Sequence, residues 1–439
     1  MMRTSRFCAF ALAGIATLGG IVSTTRDASA QESAVSAARD GARKAPASPE
    51  AATAYGRALR RAGREAEALA ELKRAQVFAK GDAAIAVGWE IARTHIARRD
   101  FAPAMSACKS VAKVANGAAA SRVCAAEAHL LWRRGTEALA ELAELAKLPD
   151  ASADVRFHAK LAEGRSRELD SKDADAEASY REAIRLAPDR FEGHLLLGAM
   201  LHRTGKDGVP SLRRAVDLDP HDPIAALEYG RALASDPARR SDAIAAFEKA
   251  AAERPTLVDA LRALTEAYLL AGRLPDAKRV AASVLKVAPN DVLAHVVSGR
   301  VALADGKVDA AIEAGEAALK LMPNEGKAKL LIADAYAKKG EIDLALEAYQ
   351  KASGLDPLDP APLVNATNAC IAAGRLTSAK AFGQRAVLDF PNHAPSWVAQ
   401  GDALAADGNA KAARTAYEAA KKARGADAAL IDGKLSRLR

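Results

Sequence analysis

Residues 326–359 read GKAKLLIADAYAKKGEIDLALEAYQKASGLDPLD, and the fold follows from their pattern. Ile332, Ala333 and Tyr336 form one apolar stripe and Ala345, Tyr349 and Ala352 a second, at the spacings of two amphipathic helices. Gly340 separates the stripes and Pro357 ends the second. Glycine tolerates the left-handed backbone that closes a helix, and proline cannot continue one. The segment predicts two helices joined by a tight turn.

The same punctuation recurs on both sides. Pro255, Pro289, Pro323, Pro357 and Pro391 are spaced by 34 residues, and so are Gly272, Gly306, Gly340, Gly374 and Gly408. Two residue types locked to one period define a repeat array. Pro188, Pro220 and Pro255 close the three repeats that precede the one turned by Gly272, with two residues missing near Gly205 and one extra near Pro237. Three further repeats are centred on turns near Gly63, Arg99 and Arg133. The frame gives eleven repeats: 49–82, 85–118, 119–152, 157–190, 191–222, 223–257, 258–291, 292–325, 326–359, 360–393 and 394–427.

Positions that did not set the frame obey it. Position 20 is alanine in every repeat but one, from Ala68 and Ala104 to Ala379 and Ala413, with Gly208 as the exception. Position 8 is small, as in Gly56, Ala92, Gly164, Gly230, Thr265, Gly299 and Gly401. Small residues at both places let the helices of a hairpin approach closely. Position 24 supplies Tyr180, Phe247, Tyr349 and Tyr417. In length and in these positions the sequence resembles the tetratricopeptide repeat family over Pro49 to Asp427. The resemblance implies an all-α, right-handed superhelical solenoid of helix-turn-helix repeats whose first helices line a concave face. Residues 428–439 carry Leu430, Ile431, Leu435 and Leu438 on one side and Lys434, Arg437 and Arg439 on the other, as a capping helix would; a binding helix is the other reading. Residues 150–170 read either as a seam between an array at 49–152 and one at 153–427, or as one misframed helix, because Lys160, Glu163 and Arg167 take places that are normally apolar.

Met1 to Arg6 carry two arginines, Phe7 to Val22 are uncharged and apolar, and Ala28-Ser29-Ala30 is a small-x-small site. This is the pattern of a secretory leader cleaved after Ala30, predicting an exported, periplasmic or extracellular protein. An uncleaved anchor is the alternative. Residues 31–48 read as a flexible lead-in. No later stretch is apolar enough to span a membrane. Residues 1–30 hold three arginines and one aspartate, so their removal lowers the net charge from +8 to +6. So mild a bias, without a basic stripe or stacking aromatics, argues against nucleic acid.

No short catalytic motif survives inspection, and no cofactor or metal site is predicted. Ser106-Ala-Cys-Lys109 matches Ser-x-x-Lys in form but lacks its partner motifs. His95, His129, His194 and His295 fall on packing positions, whereas His158 and His202 fall on the face that the resemblance makes concave. Cys108 and Cys124 lie on consecutive helices, leaving open either a disulfide or two free thiols; Cys370 reads as a buried thiol.

If the resemblance holds, positions 2, 5, 9, 12 and 13 face the groove. Arg57, Arg93, Arg165, Arg231 and Arg300 occupy position 9, Arg60 and Arg61 extend the first repeat, and the later repeats present Leu293, Val296, Leu330, Val364, Asp334, Asn368 and Asp402. One reading is a groove graded from basic to apolar; the other is that arginine is simply a frequent solvated helix residue. The function expected is a non-catalytic scaffold or adaptor holding protein or peptide partners. The alternative is a module for an anionic cell-surface polysaccharide.

Overall fold

The computed structural model describes residues 24–148 and 151–438, with the side chains from residue 34 onward. The apolar run of the expected leader lies outside the described residues. Every regular element described is helical, as expected of an α-solenoid. Helix α1 (Thr24–Lys44) precedes eleven helix pairs. They are α2 (Pro49–Arg61) and α3 (Glu65–Gln76), α4 (Gly81–Ala97) and α5 (Phe101–Val111), α6 (Ala118–Leu131) and α7 (Gly135–Leu145), and α8 (Ala153–Leu169) and α9 (Asp173–Leu186). Then come α10 (Phe191–Arg203) and α11 (Val209–Leu218), α12 (Pro223–Ala234) and α13 (Arg240–Glu253), and α14 (Val258–Leu270) and α15 (Leu274–Val287). The last are α16 (Val292–Ala304) and α17 (Val308–Leu321), α18 (Gly326–Lys339) and α19 (Ile342–Leu355), α20 (Ala361–Ala372) and α21 (Leu376–Asp389), and α22 (Ala394–Ala406) and α23 (Ala410–Lys422), followed by α24 (Ala428–Arg437). The chain forms two compact units, residues 24–260 and 261–438.

The turn position is left-handed whether or not glycine supplies it. Gly63, Gly205, Gly272, Gly306, Gly340, Gly374 and Gly408 have positive φ, and so do Arg99 (62°), Arg133 (57°) and Ser171 (59°) at the equivalent places. Only the turn at Pro237 departs, because the extra residue there makes a short 3-10 helix, Pro237–Arg239. Inside several hairpins, position 8 packs against position 24. A Cβ on Gly164 would lie 2.5 Å from the Tyr180 ring, on Gly230 2.6 Å from Phe247, and on Gly401 2.4 Å from Tyr417. The alanines at position 20 are fully buried between the two helices. Repeats are stapled to one another at position 4, where His194 and His295 each bond the carbonyl of the proline six residues earlier, at 3.1 and 2.8 Å. Trp397 Nε1 donates to the Pro391 carbonyl in the same way at 2.8 Å.

Residues 31–44, expected to be flexible, instead continue α1. Val35 (2% exposed) and Ala42 are buried, and α1 packs on α2. An array end exposes an apolar face that needs cover, and α1 covers it. At the other end α24 does the same, with Ile431 buried against Ala413, Tyr417 and Ala420.

Candidate functional site

First helices of successive repeats touch one another (α2 with α4, α4 with α6, α6 with α8, α16 with α18, α20 with α22), which places them on the inner side. In the unit 24–260 that side is filled by a charge network. Glu90 at position 6 of the second repeat is 3% exposed and meets Arg57 Nε (3.1 Å), Arg60 Nη2 (3.1 Å) and Arg93 Nη1 (3.5 Å). Arg93 forks onto Glu127 of the next repeat at 2.8 and 3.1 Å, and Trp89 Nε1 donates to the same carboxylate at 2.9 Å. The Arg93 guanidinium also lies over the Trp89 ring, 4.8 Å from its centroid.

The network continues through His158 of the fourth repeat. Its ring lies 5.0 Å from Trp89, Nδ1 is 3.4 Å from Glu127 Oε1, and Nε2 is 2.9 Å from Arg190 Nη2. Arg93 Nη2 also lies 3.1 Å from Nδ1, so a neutral ring, with one bare nitrogen, accepts either from Arg190 at Nε2 or from Arg93 at Nδ1. Arg190 bridges onward to Asp154 and Glu192. Four guanidiniums (Arg57, Arg60, Arg93, Arg190) thus face four carboxylates (Glu90, Asp154, Glu127, Glu192).

Protonation follows from this crowding. Burial pushes the Glu90 carboxyl up, but Arg60, Arg93 and Arg57 outweigh it and hold it at about 2. Burial likewise acts on Glu127 and is overcome, chiefly by Arg93, to leave it at about 2. His158 is brought down to about 4 by burial and by Arg93 and Arg190, against the pull of Glu127 and Asp154.

The first repeat also bears on the fifth and sixth. Arg61 Nη1 meets Asp219 at 2.7 Å and stacks on Phe191, Arg254 Nη2 meets Glu65 at 3.1 Å, and α1 packs on α13. This unit closes on itself.

The arginine series is therefore not a free basic surface. Arg57, Arg60, Arg61 and Arg93 are paired within the unit, and Arg231 pairs with Glu228. Arg300 pairs with Glu266 at 2.8 Å. Arg165 is half-buried and its charge acts on the Glu168 carboxylate. The sequence carried the signal: Arg93 and Glu127, and Glu266 and Arg300, are opposite charges one repeat apart at the same position. Counting arginines alone missed it.

In the unit 261–438 the acids expected on the groove point into their own hairpins. Tyr349 Oη donates to Asp334 Oδ1 at 2.7 Å, and Asn365 Nδ2 to the same oxygen at 2.9 Å. Burial raises the Asp334 carboxyl, with those two hydrogen bonds opposing it. Tyr417 Oη donates to Asp402 at 2.7 Å, and Lys434 of α24 covers that carboxylate at 2.7 and 2.8 Å. Val296, expected on the groove, is 5% exposed and packs among Ala318 and Ala328, so it belongs to the core. Leu293, Leu330 and Val364 remain half-buried and Asn368 exposed, which leaves an apolar inner strip across repeats eight to ten.

Cys108 and Cys124 are joined in a disulfide between the second and third repeats, with Cα atoms 5.5 Å apart. Cys370 is free and buried. No cluster of three potential metal ligands occurs among the described residues, and no described helix is long and apolar enough to cross a membrane.

Fold and surfaces together define a helical-repeat array of the scaffold type. Residues 239–296 and 298–360 match two models of the tetratricopeptide repeat family. No curated protein matches the chain. Among solved structures, that of yeast Tom70 is 14% identical, covers 88% of this chain and 93% of its own, and has a TM-score of 0.47. A tetratricopeptide repeat protein from Parabacteroides merdae is 14% identical over 64% of this chain and 98% of its own, with a TM-score of 0.43. A thermophilic repeat protein of Thermus thermophilus is 25% identical over 41% of this chain and 99% of its own, with a TM-score of 0.37.

Proposed function

We propose that this protein is an exported, non-catalytic scaffold that holds a partner segment on the inner face of residues 261–438. The observation that carries the proposal is the contrast between two inner faces. Arg57, Arg93 and their neighbours are neutralised inside their own unit, whereas Leu293, Leu330 and Val364 keep apolar surface exposed beside Asn368. Half-buried apolar side chains with a nearby amide suit an extended or helical peptide that buries apolar anchors. The neutralised arginines take away the support that an anionic polysaccharide reading had in the sequence.

Export is supported by the leader pattern of residues 1–30 and by the Cys108–Cys124 disulfide, a bond that persists in oxidising compartments. The test is affinity capture from the envelope fraction of the source cells with the chain from Gln31 onward, beside a Leu330→Asp, Val364→Asp variant. A defined protein retained by the parent chain through 0.5 M salt and lost from the variant supports the reading. Capture that is abolished by salt but not by the variant, or glycan without protein, refutes it.

A further inference from the structure

A cavity of about 420 Å³ opens between α5 and the α6–α7 turn, apart from the inner-face network. Phe101 and Met105 supply apolar walls, Lys109 and Arg134 two cations, and His129 an edge. Phe101 is held by Trp132 edge-on at 4.8 Å and by the tilted His129 ring at 5.6 Å. The Arg134 guanidinium lies over the Phe101 ring, 4.9 Å from its centre. Neither Lys109 nor Arg134 has a carboxylate partner among the described residues, in a chain where most arginines do. His129 Nδ1 is buried and has no hydrogen-bond partner. No acidic residue lines the cavity.

The geometry points to a binding site for a ligand that joins an apolar, flat body to a carboxylate. The body fills the space beside Phe101 and Met105. The carboxylate takes the two uncompensated cations through charge-assisted hydrogen bonds. Cys108, next to Lys109, ties α5 to α6 through Cys124, so the disulfide fixes two walls of the site. Ser106 and Lys109, the Ser-x-x-Lys match in the sequence, line this same cavity as ligand contacts. The carboxylate could belong to a free acid or to the end of a peptide chain.

Isothermal titration of the full chain with 3-phenylpropanoate and its amide, and with Ala-Ala-Phe carrying a free or an amidated end, tests the site. Each acid is expected to bind at least tenfold more tightly than its amide. Lys109→Ala and Arg134→Ala are each expected to weaken the acid at least fivefold, and Lys113→Ala, outside the cavity, to leave it unchanged. Both substitutions are at exposed positions, and an unchanged circular dichroism spectrum verifies folding. Stronger binding of the tripeptide assigns the site to a chain end, and stronger binding of 3-phenylpropanoate to a free acid. Absence of binding by both acids, equal binding of acid and amide, or full affinity in both variants would overturn the assignment.

Discussion

Replacing Glu90 by glutamine removes one charge from the inner-face network while keeping the side chain's shape. Its carboxyl lies within 3.5 Å of Arg57, Arg60 and Arg93 and is held at about 2, against an ordinary value of 4.5. At ~1.4 kcal/mol per tenfold change in proton affinity, this amounts to about 3 kcal/mol favouring the folded state. The folded-state value is the depressed one, so this stability is fully present above pH 4.5 and is lost as pH falls toward 2. The glutamine variant resembles the protonated protein. It should be about 3 kcal/mol less stable than the parent at pH 7, and the deficit should shrink through pH 4 and close near pH 2. Arg57 is half-exposed, which puts the loss at the lower end of the ~3–5 kcal/mol expected for breaking a buried pair. Urea unfolding at several pH values, followed by circular dichroism and by the fluorescence of Trp89 in the network, measures it. A deficit below 1 kcal/mol at pH 7, or one that persists unchanged at pH 2.5, would refute the reasoning.

Other perturbations follow from the same structure. His158, brought down to about 4, makes the unit lose stability as pH falls from 6.5 to 4, because the unfolded chain takes up a proton first; His158→Gln should flatten that part of a stability–pH profile. Arg99→Gly and Arg133→Gly relieve left-handed residues and should each add about 1 kcal/mol, read as a higher urea midpoint. Gly164→Val drives a side chain into the Tyr180 ring and should cost about 1–3 kcal/mol, whereas Gly354→Ala, with nothing within 4 Å in the last turn of α19, should gain about 0.5 kcal/mol or less in the same assay. Mass spectrometry after alkylation of the unreduced, denatured chain from Gln31 should find one modified thiol, Cys370, and three after reduction.

Local features were the legible ones. A turn that must be left-handed every 34 residues shows in the glycines of the later repeats, and the frame they set located Arg99 and Arg133, where no glycine marks the place. The small-residue position 8 was legible because it needs only a neighbour in the same hairpin, such as Tyr180 for Gly164. Cross-repeat contacts were harder. Arg93 looked like a groove cation because its partner Glu127 stands one repeat away, and the acids Asp334 and Asp402 looked free because their tyrosines stand 15 residues on. The helical character of residues 31–44 was hidden by a composition rich in alanine, serine and charge, where burial of only Val35 and Ala42 decides the matter. Contact between the first and sixth repeats depends on the rotation accumulated over five intervening steps, which no local pattern encodes.

That last contact changes what kind of object residues 24–260 are. An open solenoid gains or loses a repeat at little cost, since each repeat answers only to its neighbours. Here Arg61 must reach Asp219 and Glu65 must reach Arg254, so the number of repeats between them is fixed by closure, as the number of staves is in a barrel. Inserting or deleting one repeat between α3 and α11 would part both pairs at once. Lineages of this protein should therefore vary in length after residue 260 and hold constant before it.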